Sequence, residues 1–98
     1  MNATGRFTTM IDVIDNAAAH RFELPVDGGT AFAAYRREGD TIVFTHTEVP
    51  PALEGQGIGS SLIAGALAQA RARGLKVVPA CAFVAAYVRR HPEAAELA

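Results

Sequence analysis

Between Thr41 and Gly74 the chain changes its periodicity once, and abruptly. Thr41-Ile42-Val43-Phe44-Thr45-His46-Thr47-Glu48-Val49 is almost wholly β-branched or aromatic, which predicts a strand. Pro50-Pro51 stops it, because proline cannot donate to a sheet ladder. Glycines follow at 55, 57 and 59. From Ile58 the apolar residues then fall at helical spacing: Ile58, Leu62, Ile63, Ala66, Leu67 and Ala70 make one stripe, and Ser60, Ser61, Gln69, Arg71 and Arg73 lie off it. Gly74, after two arginines, marks the helix end. A strong strand that runs through glycines into a helix N-terminus constrains the rest of the chain more than any other feature.

Leu75 to Ala80 reads as a short apolar strand. Because a helix links it to Thr41–Val49, the two strands are expected to be parallel. Ala82 to Arg90 reads as a final helix, ended by His91-Pro92. The first half is strands and turns. Thr8 to Asp15 is a candidate strand, Asn16 to Ala19 a connection, and Arg21 to Val26 alternates with Phe22, Leu24 and Val26 on one face. Asp27-Gly28-Gly29 and Gly39-Asp40 are hairpin turns bracketing a return strand over Thr30 to Glu38. The expected class is mixed α and β: a mainly antiparallel sheet with one parallel strand pair and two helices. In Thr41–Val49, strict alternation puts Ile42, Phe44, His46 and Glu48 on one face and Val43, Thr45, Thr47 and Val49 on the other.

Composition narrows the function classes. The chain has 98 residues, nine Lys+Arg against ten Asp+Glu, and a net charge of -1, so one domain over residues 1–98 is expected. Balanced charge argues against nucleic acid, whose phosphate backbone demands a basic surplus on one face. No apolar run reaches the roughly 18 to 20 residues of a membrane span, and the N-terminus lacks the pattern of a secretory signal. Cys81 is the only cysteine, which excludes an intramolecular disulfide and a multi-cysteine metal site. A cytoplasmic, metal-free protein, monomeric or homodimeric, is expected.

The glycine segment carries the chemistry. The first N–H groups of a helix have no intrahelical partner, and with the positive end of the helix dipole they favour a phosphate or pyrophosphate. Gly55, Gly57 and Gly59 keep Cβ atoms away from that surface. A P-loop is excluded because no lysine lies between Gly55 and Gly74. A dinucleotide fingerprint is excluded because its third glycine would fall one position early and the preceding strands read as hairpins. The remaining alternative is a tight turn that binds nothing.

Glu54-Gly55-Gln56-Gly57-Ile58-Gly59 resembles the acyl-CoA pyrophosphate loop of the GNAT N-acetyltransferase superfamily, Q/R-x-x-G-x-G/A. The spacing, Gly57, Gly59 and the strand-loop-helix context match, and Glu54 departs from the pattern. The resemblance extends over Thr30 to Glu93 and is to short stand-alone members with a reduced fold. It implies that acetyl-CoA is the cosubstrate, with its pantetheine between strands 41–49 and 75–80 where they splay apart. Backbone groups near Thr47 to Val49 would bind the pantetheine amides and polarise the thioester carbonyl. The amides of Gly55, Gln56, Gly57, Ile58, Gly59 and Ser60 would hold the pyrophosphate.

Four side chains are candidates for catalysis. Cys81 ends the second parallel strand and precedes a helix. A helix N-terminus or a nearby His46 could lower its pKa for acyl-enzyme chemistry, or it could line the acetyl site, or simply pack. His46 and Glu48 could each deprotonate an amine acceptor, directly or through water. Tyr87 matches the place where the resemblance puts a tyrosine that protonates the departing thiolate; its alternative is packing. Arg89-Arg90-His91, Arg71, Arg73 and Lys76 are read as solvated rather than as ligands of the CoA 3′-phosphate.

The reading that follows is an acetyl-CoA-dependent N-acetyltransferase acting on an amine. The alternative is an acyl-CoA-binding or sensing module without turnover. The shortness of the chain leads to the expectation of an open acceptor face.

Overall fold

A computed structural model describes residues 13–98. Five strands form one mixed sheet in sequential order: β1 (Ile14–Asn16), β2 (Arg21–Val26), β3 (Gly29–Glu38), β4 (Thr41–Glu48) and β5 (Lys76–Pro79). Helix α1 (Ile58–Ala72) follows β4, and α2 (Ala82–Arg90) follows β5. The first four strands pair antiparallel, and β4 and β5 pair parallel, as the intervening helix requires. Short 3-10 turns lie at Ala17–Ala19, Pro51–Leu53 and Pro92–Ala94.

Of the expected first strand, Thr8 to Asp12 lie outside the described residues, and within them β1 spans Ile14–Asn16. Asn16 ends β1, and its side-chain oxygen accepts from the Ala19 amide at 3.2 Å, closing the connection as a capped turn. Both hairpins have two-residue loops, since Val26 pairs with Gly29 and Glu38 with Thr41. Helix α1 ends in a Schellman motif: Gly74 N–H donates to Arg71 O at 3.0 Å and Leu75 N–H to Ala70 O at 2.9 Å. One pairing had no signal in the sequence. Leu97 bridges to Val77, so the C-terminal residues run along the outer edge of β5.

Both helices lie on one face of the sheet. Phe22, Leu24, Ala31, Ala33, Tyr35, Ile42, Phe44 and Val77 share a core cluster with Leu62, Ile63, Ala66 and Leu67 of α1 and Val84 and Val88 of α2. Phe22 and Phe44 are fully buried, each stabilising the fold by roughly 1.5–3 kcal/mol relative to an exposed side chain. At the far end of α1 the Tyr35 hydroxyl donates to Asp15 at 2.6 Å, and Arg73 bonds the other Asp15 oxygen at 2.6 Å. Burial, reinforced by the Asp15 carboxylate, pushes the Tyr35 hydroxyl up to about 12.

Strand β4 departs from the expected alternation. Phe44 pairs with Tyr35 but His46 pairs with Ala34, leaving Thr45 as an extra residue: a β-bulge. The bulge reverses the face of everything after it. Thr47 pairs with the buried Ala33 on the helix-covered face, whereas His46 and Glu48 pair with Ala34 and Phe32 on the opposite face. His46 and Glu48 therefore do not share a face with Ile42 and Phe44, and Thr47 and Thr45 do not share one with each other.

Candidate functional site

The parallel ladder ends where the bulge begins. Phe44 pairs with Pro79, and beyond that point β4 and β5 have no further pairing. Proline cannot extend a ladder, and Ala80 N–H turns back to Val78 O at 3.0 Å, so β5 leaves the sheet. The result is a split between Thr45–Glu48 and the start of α2, on the side expected from the sequence.

A cavity of about 380 Å³ opens beside this split on the helix-covered face. Thr47 and Val49 form its strand wall, Leu53 to Gly55 its loop wall, Gly57 to Ser60 its helix wall, and Phe83 of α2 the far side. The predicted loop residues and the predicted strand residues thus meet around one space. Gln56 is the exception, as it is not part of the wall.

The local backbone explains the glycines. Gly55 (φ 86°) and Gly57 (φ 77°) occupy left-handed conformations that L-residues with a Cβ rarely adopt. Gly57 caps α1 without any side-chain hydrogen bond, and the first intrahelical bond runs from Ser61 N–H to Gly57 O at 3.0 Å. The amides of Ile58, Gly59 and Ser60 precede it and have no intrahelical acceptor. Gly59 serves differently: its backbone is helical, and a Cβ there would overlap the Phe83 ring. Phe83 escaped the sequence reading, because only the tertiary approach of α2 to α1 reveals it.

Cys81 occupies the N-cap of α2 with its side chain half-buried. Its Sγ lies 3.3 Å from Thr47 Oγ1, across the split. Burial pushes the thiol pKa up, but hydrogen bonds from the Thr47 hydroxyl and from the Val84 and Phe83 amides outweigh it, and the net shift is downward. Two of these donors, the Phe83 and Val84 amides, belong to the first turn of α2. Thr47, named only for its backbone, contributes its side chain to the cysteine and also lines the cavity.

His46 does not take the role of partner to Cys81. The bulge turns it to the open face, where its Nε2 lies 3.3 Å from Glu48 Oε1. The pair is accessible, with side chains 61% and 60% exposed. Around it lie Phe32, whose ring centroid is 6.0 Å from that of His46, and Arg21, whose guanidinium sits 4.3 Å over Phe32. Arg21 also pairs with Glu23 at 2.7 Å, and this bond holds the Glu23 carboxyl below its ordinary range. Cys81 and the His46–Glu48 pair thus approach the split from opposite sides of the sheet.

Tyr87 is half-buried against the core, with its ring centroid 4.5 Å from that of His91, and it is not part of the cavity wall. Among the described residues no group of His, Cys, Asp and Glu could hold a metal ion, and no helix is long and apolar enough to cross a membrane.

The mixed sheet thus splits beside a glycine-rich helix N-terminus, with a cavity between them. The profile of the GCN5-related N-acetyl-transferase family matches residues 21–97. The chain belongs to that family. A search of curated proteins gave no match.

Proposed function

We propose that this protein is an N-acetyltransferase that takes acetyl-CoA as cosubstrate and transfers the acetyl group to an amine. Family membership supports the reaction class, since the family generally uses acetyl-CoA. The observation that carries the reading for this chain is the cavity joining Thr47 and Val49 to the uncapped amides of Ile58, Gly59 and Ser60.

In this reading the pyrophosphate sits at the α1 N-terminus, held by backbone amides and the helix dipole. The pantetheine arm follows the β4 edge beyond the bulge, and the thioester carbonyl reaches the split. Glu48 or His46, on the open face, accepts a proton from the incoming ammonium. The neutral amine attacks the carbonyl carbon, the C–N bond forms, the C–S bond breaks, and the nitrogen's second proton passes to the departing sulfur, so that CoA leaves as the thiol. Positioning and carbonyl polarisation supply most of the acceleration. The opposed faces give the two substrates separate approaches, with the donor on the helix side and the acceptor on the open side.

A second route is favoured by the Cys81–Thr47 contact. The Cys81 thiolate attacks the thioester first, CoA leaves, and the amine then takes the acetyl group from Cys81. Mass spectrometry after incubation with labelled acetyl-CoA separates the routes. A label on Cys81 that an amine discharges supports the acyl-enzyme, whereas CoA release only in the presence of an amine, with Cys81 unlabelled, supports direct transfer. Binding with neither outcome across a broad amine panel would leave the chain as a binding or sensing module. Tyr87 is proposed as acid for the departing thiolate only if it leaves His91, and a Tyr87→Phe variant with unchanged turnover removes it from the scheme. We further propose that residues 1–98 form a single domain working as a monomer or homodimer in the cytoplasm, where reducing conditions keep Cys81 a free thiol.

A further inference from the structure

Strand β3 outruns its neighbour β2. Their pairing covers residues 29–34 of β3, and residues 35–38 continue beyond it for about 13 Å. The chain fills only the first step of the gap this leaves: His20 ends the Ala17–Ala19 turn, and its carbonyl accepts from Tyr35 N–H at 2.9 Å. His20 does this in a left-handed backbone conformation (φ 57°), the one non-glycine residue with a positive φ among the described residues. Its ring stacks on that of Tyr35 with centroids 6.4 Å apart and closes the end of the gap. The direction of backbone hydrogen bonding alternates along a strand, so Arg37 N–H and C=O point the same way as Tyr35 N–H, into the gap. No described strand pairs with them there.

The gap is a cavity of about 320 Å³ toward the β3–β4 hairpin, at the other end of the strands from the β4–β5 split. Its positive charges straddle the strand edge. Arg37 shares the helix-covered face with Tyr35 and Arg36 lies on the open face, because side chains alternate along β3. Arg36 donates through Nε to Glu38 at 2.7 Å and Arg37 through Nη2 to Gly39 O at 3.1 Å, each using a single guanidinium N–H among the described residues. Both contacts are exposed, so either guanidinium can turn to a new partner at little cost. The one carboxylate in the wall, Asp15, is already engaged on both oxygens, by the Tyr35 hydroxyl and by Arg73, each at 2.6 Å.

We propose that this edge docks the carboxyl-terminal end of an extended peptide from a partner protein, which adds to β3 as a further antiparallel strand. Such a strand runs in line with β2 and toward its first residue, where His20 blocks the way, so a chain end fits there and a continuing chain does not. Antiparallel direction makes that end the carboxyl terminus. Arg37 N–H and C=O pair with the peptide backbone, and the terminal carboxylate meets Arg36 and Arg37, which flank it from the two faces of the sheet. A parallel strand would bring an amino terminus to two arginines instead, and like charge opposes it.

Titration of the full chain with the N-acetylated peptide Val-Thr-Val-Thr bearing a free carboxylate, followed by NMR of the backbone amides, tests this. Saturable binding is expected, with the Arg37 amide signal moving and a Kd at or below about 1 mM; no movement of that signal overturns the proposal. The same peptide with a carboxamide end should bind at least about tenfold more weakly, and equal binding of the two forms overturns it. Arg37→Ala removes the charge, whereas Arg37→Pro removes the charge and the edge N–H together, at a position where that N–H makes no ladder bond. With both variants folded by circular dichroism, Arg37→Pro should bind the free acid at least about threefold more weakly than Arg37→Ala, and equal affinities overturn the strand pairing. Sodium acetate binding as tightly as the peptide would make the occupant a small anion, and an Arg37 signal that moves with protein concentration alone would make it a second copy of this chain. Either result overturns the proposal, and the comparison of acid with carboxamide needs only the native protein.

Discussion

Thr47 Oγ1 and Cys81 Sγ stand 3.3 Å apart across the gap where β4 and β5 separate. The contact depends on the bulge, because without Thr45 as an extra residue Thr47 would face the other side of the sheet. It also depends on α2 starting at Ala82, which aims the Phe83 and Val84 amides at the same sulfur. The Thr47 hydroxyl and three amides, those of Val84, Phe83 and Thr47, thus favour the thiolate in a half-buried position.

The first prediction concerns that thiol. An ordinary cysteine titrates near about 8.5, and the rate of alkylation follows the thiolate population as pH rises. Because the Cys81 pKa is lowered, its alkylation rate should reach half-maximum below the pH of a free thiol. Thr47→Val should move that midpoint back up, with the fold retained by circular dichroism. An unchanged midpoint would separate Thr47 from the cysteine.

The open-face pair gives a second. Glu48→Gln should lower turnover by about 10²–10⁴-fold if Glu48 takes the amine proton, with His46→Ala showing the loss if the base is His46. Neither substitution should change stability by more than about 0.5 kcal/mol, since both side chains are exposed. Initial rates and thermal melts measure the two effects independently.

Gly59 and Phe83 form a packing couple. Gly59→Ala should destabilise the protein by about 1–3 kcal/mol through overlap with the ring. Phe83→Leu in the same chain should recover part of that loss, and a double-mutant cycle in urea should give a coupling of about 0.5–3 kcal/mol. Strict additivity would mean the two do not meet.

Tyr35 predicts an alkaline limit. Its hydroxyl pKa is raised to about 12 by burial and Asp15, so the folded state holds the proton more tightly than the unfolded chain does. The stability contributed by the protonated hydroxyl is complete below the unfolded value near about 10 and is lost between there and about 12. Tyr35→Phe should lose about 1 kcal/mol at neutral pH and should flatten this part of the alkaline decline. Urea titrations of both proteins at pH 8 and above would measure it.

The features legible in the sequence are those written locally. The two hairpins, the Schellman end at Gly74 and the glycine loop each follow from a few adjacent residues, and the structure has them. The parallel pairing of β4 and β5 followed from the helix between them. The bulge was not legible. Thr45-His46-Thr47-Glu48 alternates as well in one register as in the next, and only pairing with Ala33 and Ala34 decides which residue is extra. That one residue moved His46 away from Cys81 and brought Thr47 to it. Phe83 and the Leu97 bridge were hidden for a related reason, since both are contacts between segments distant along the chain.

The most direct test of the account is calorimetric titration of acetyl-CoA into the native chain and into Gly57→Glu. The substitution puts a charged side chain at a left-handed position in the loop, where the Cβ itself meets open space. Circular dichroism confirms that both proteins are folded before titration. The account predicts saturable binding to the native protein and a loss of at least about tenfold in affinity in the variant. Absence of binding to the native protein, or equal binding to the two folded proteins, would contradict it.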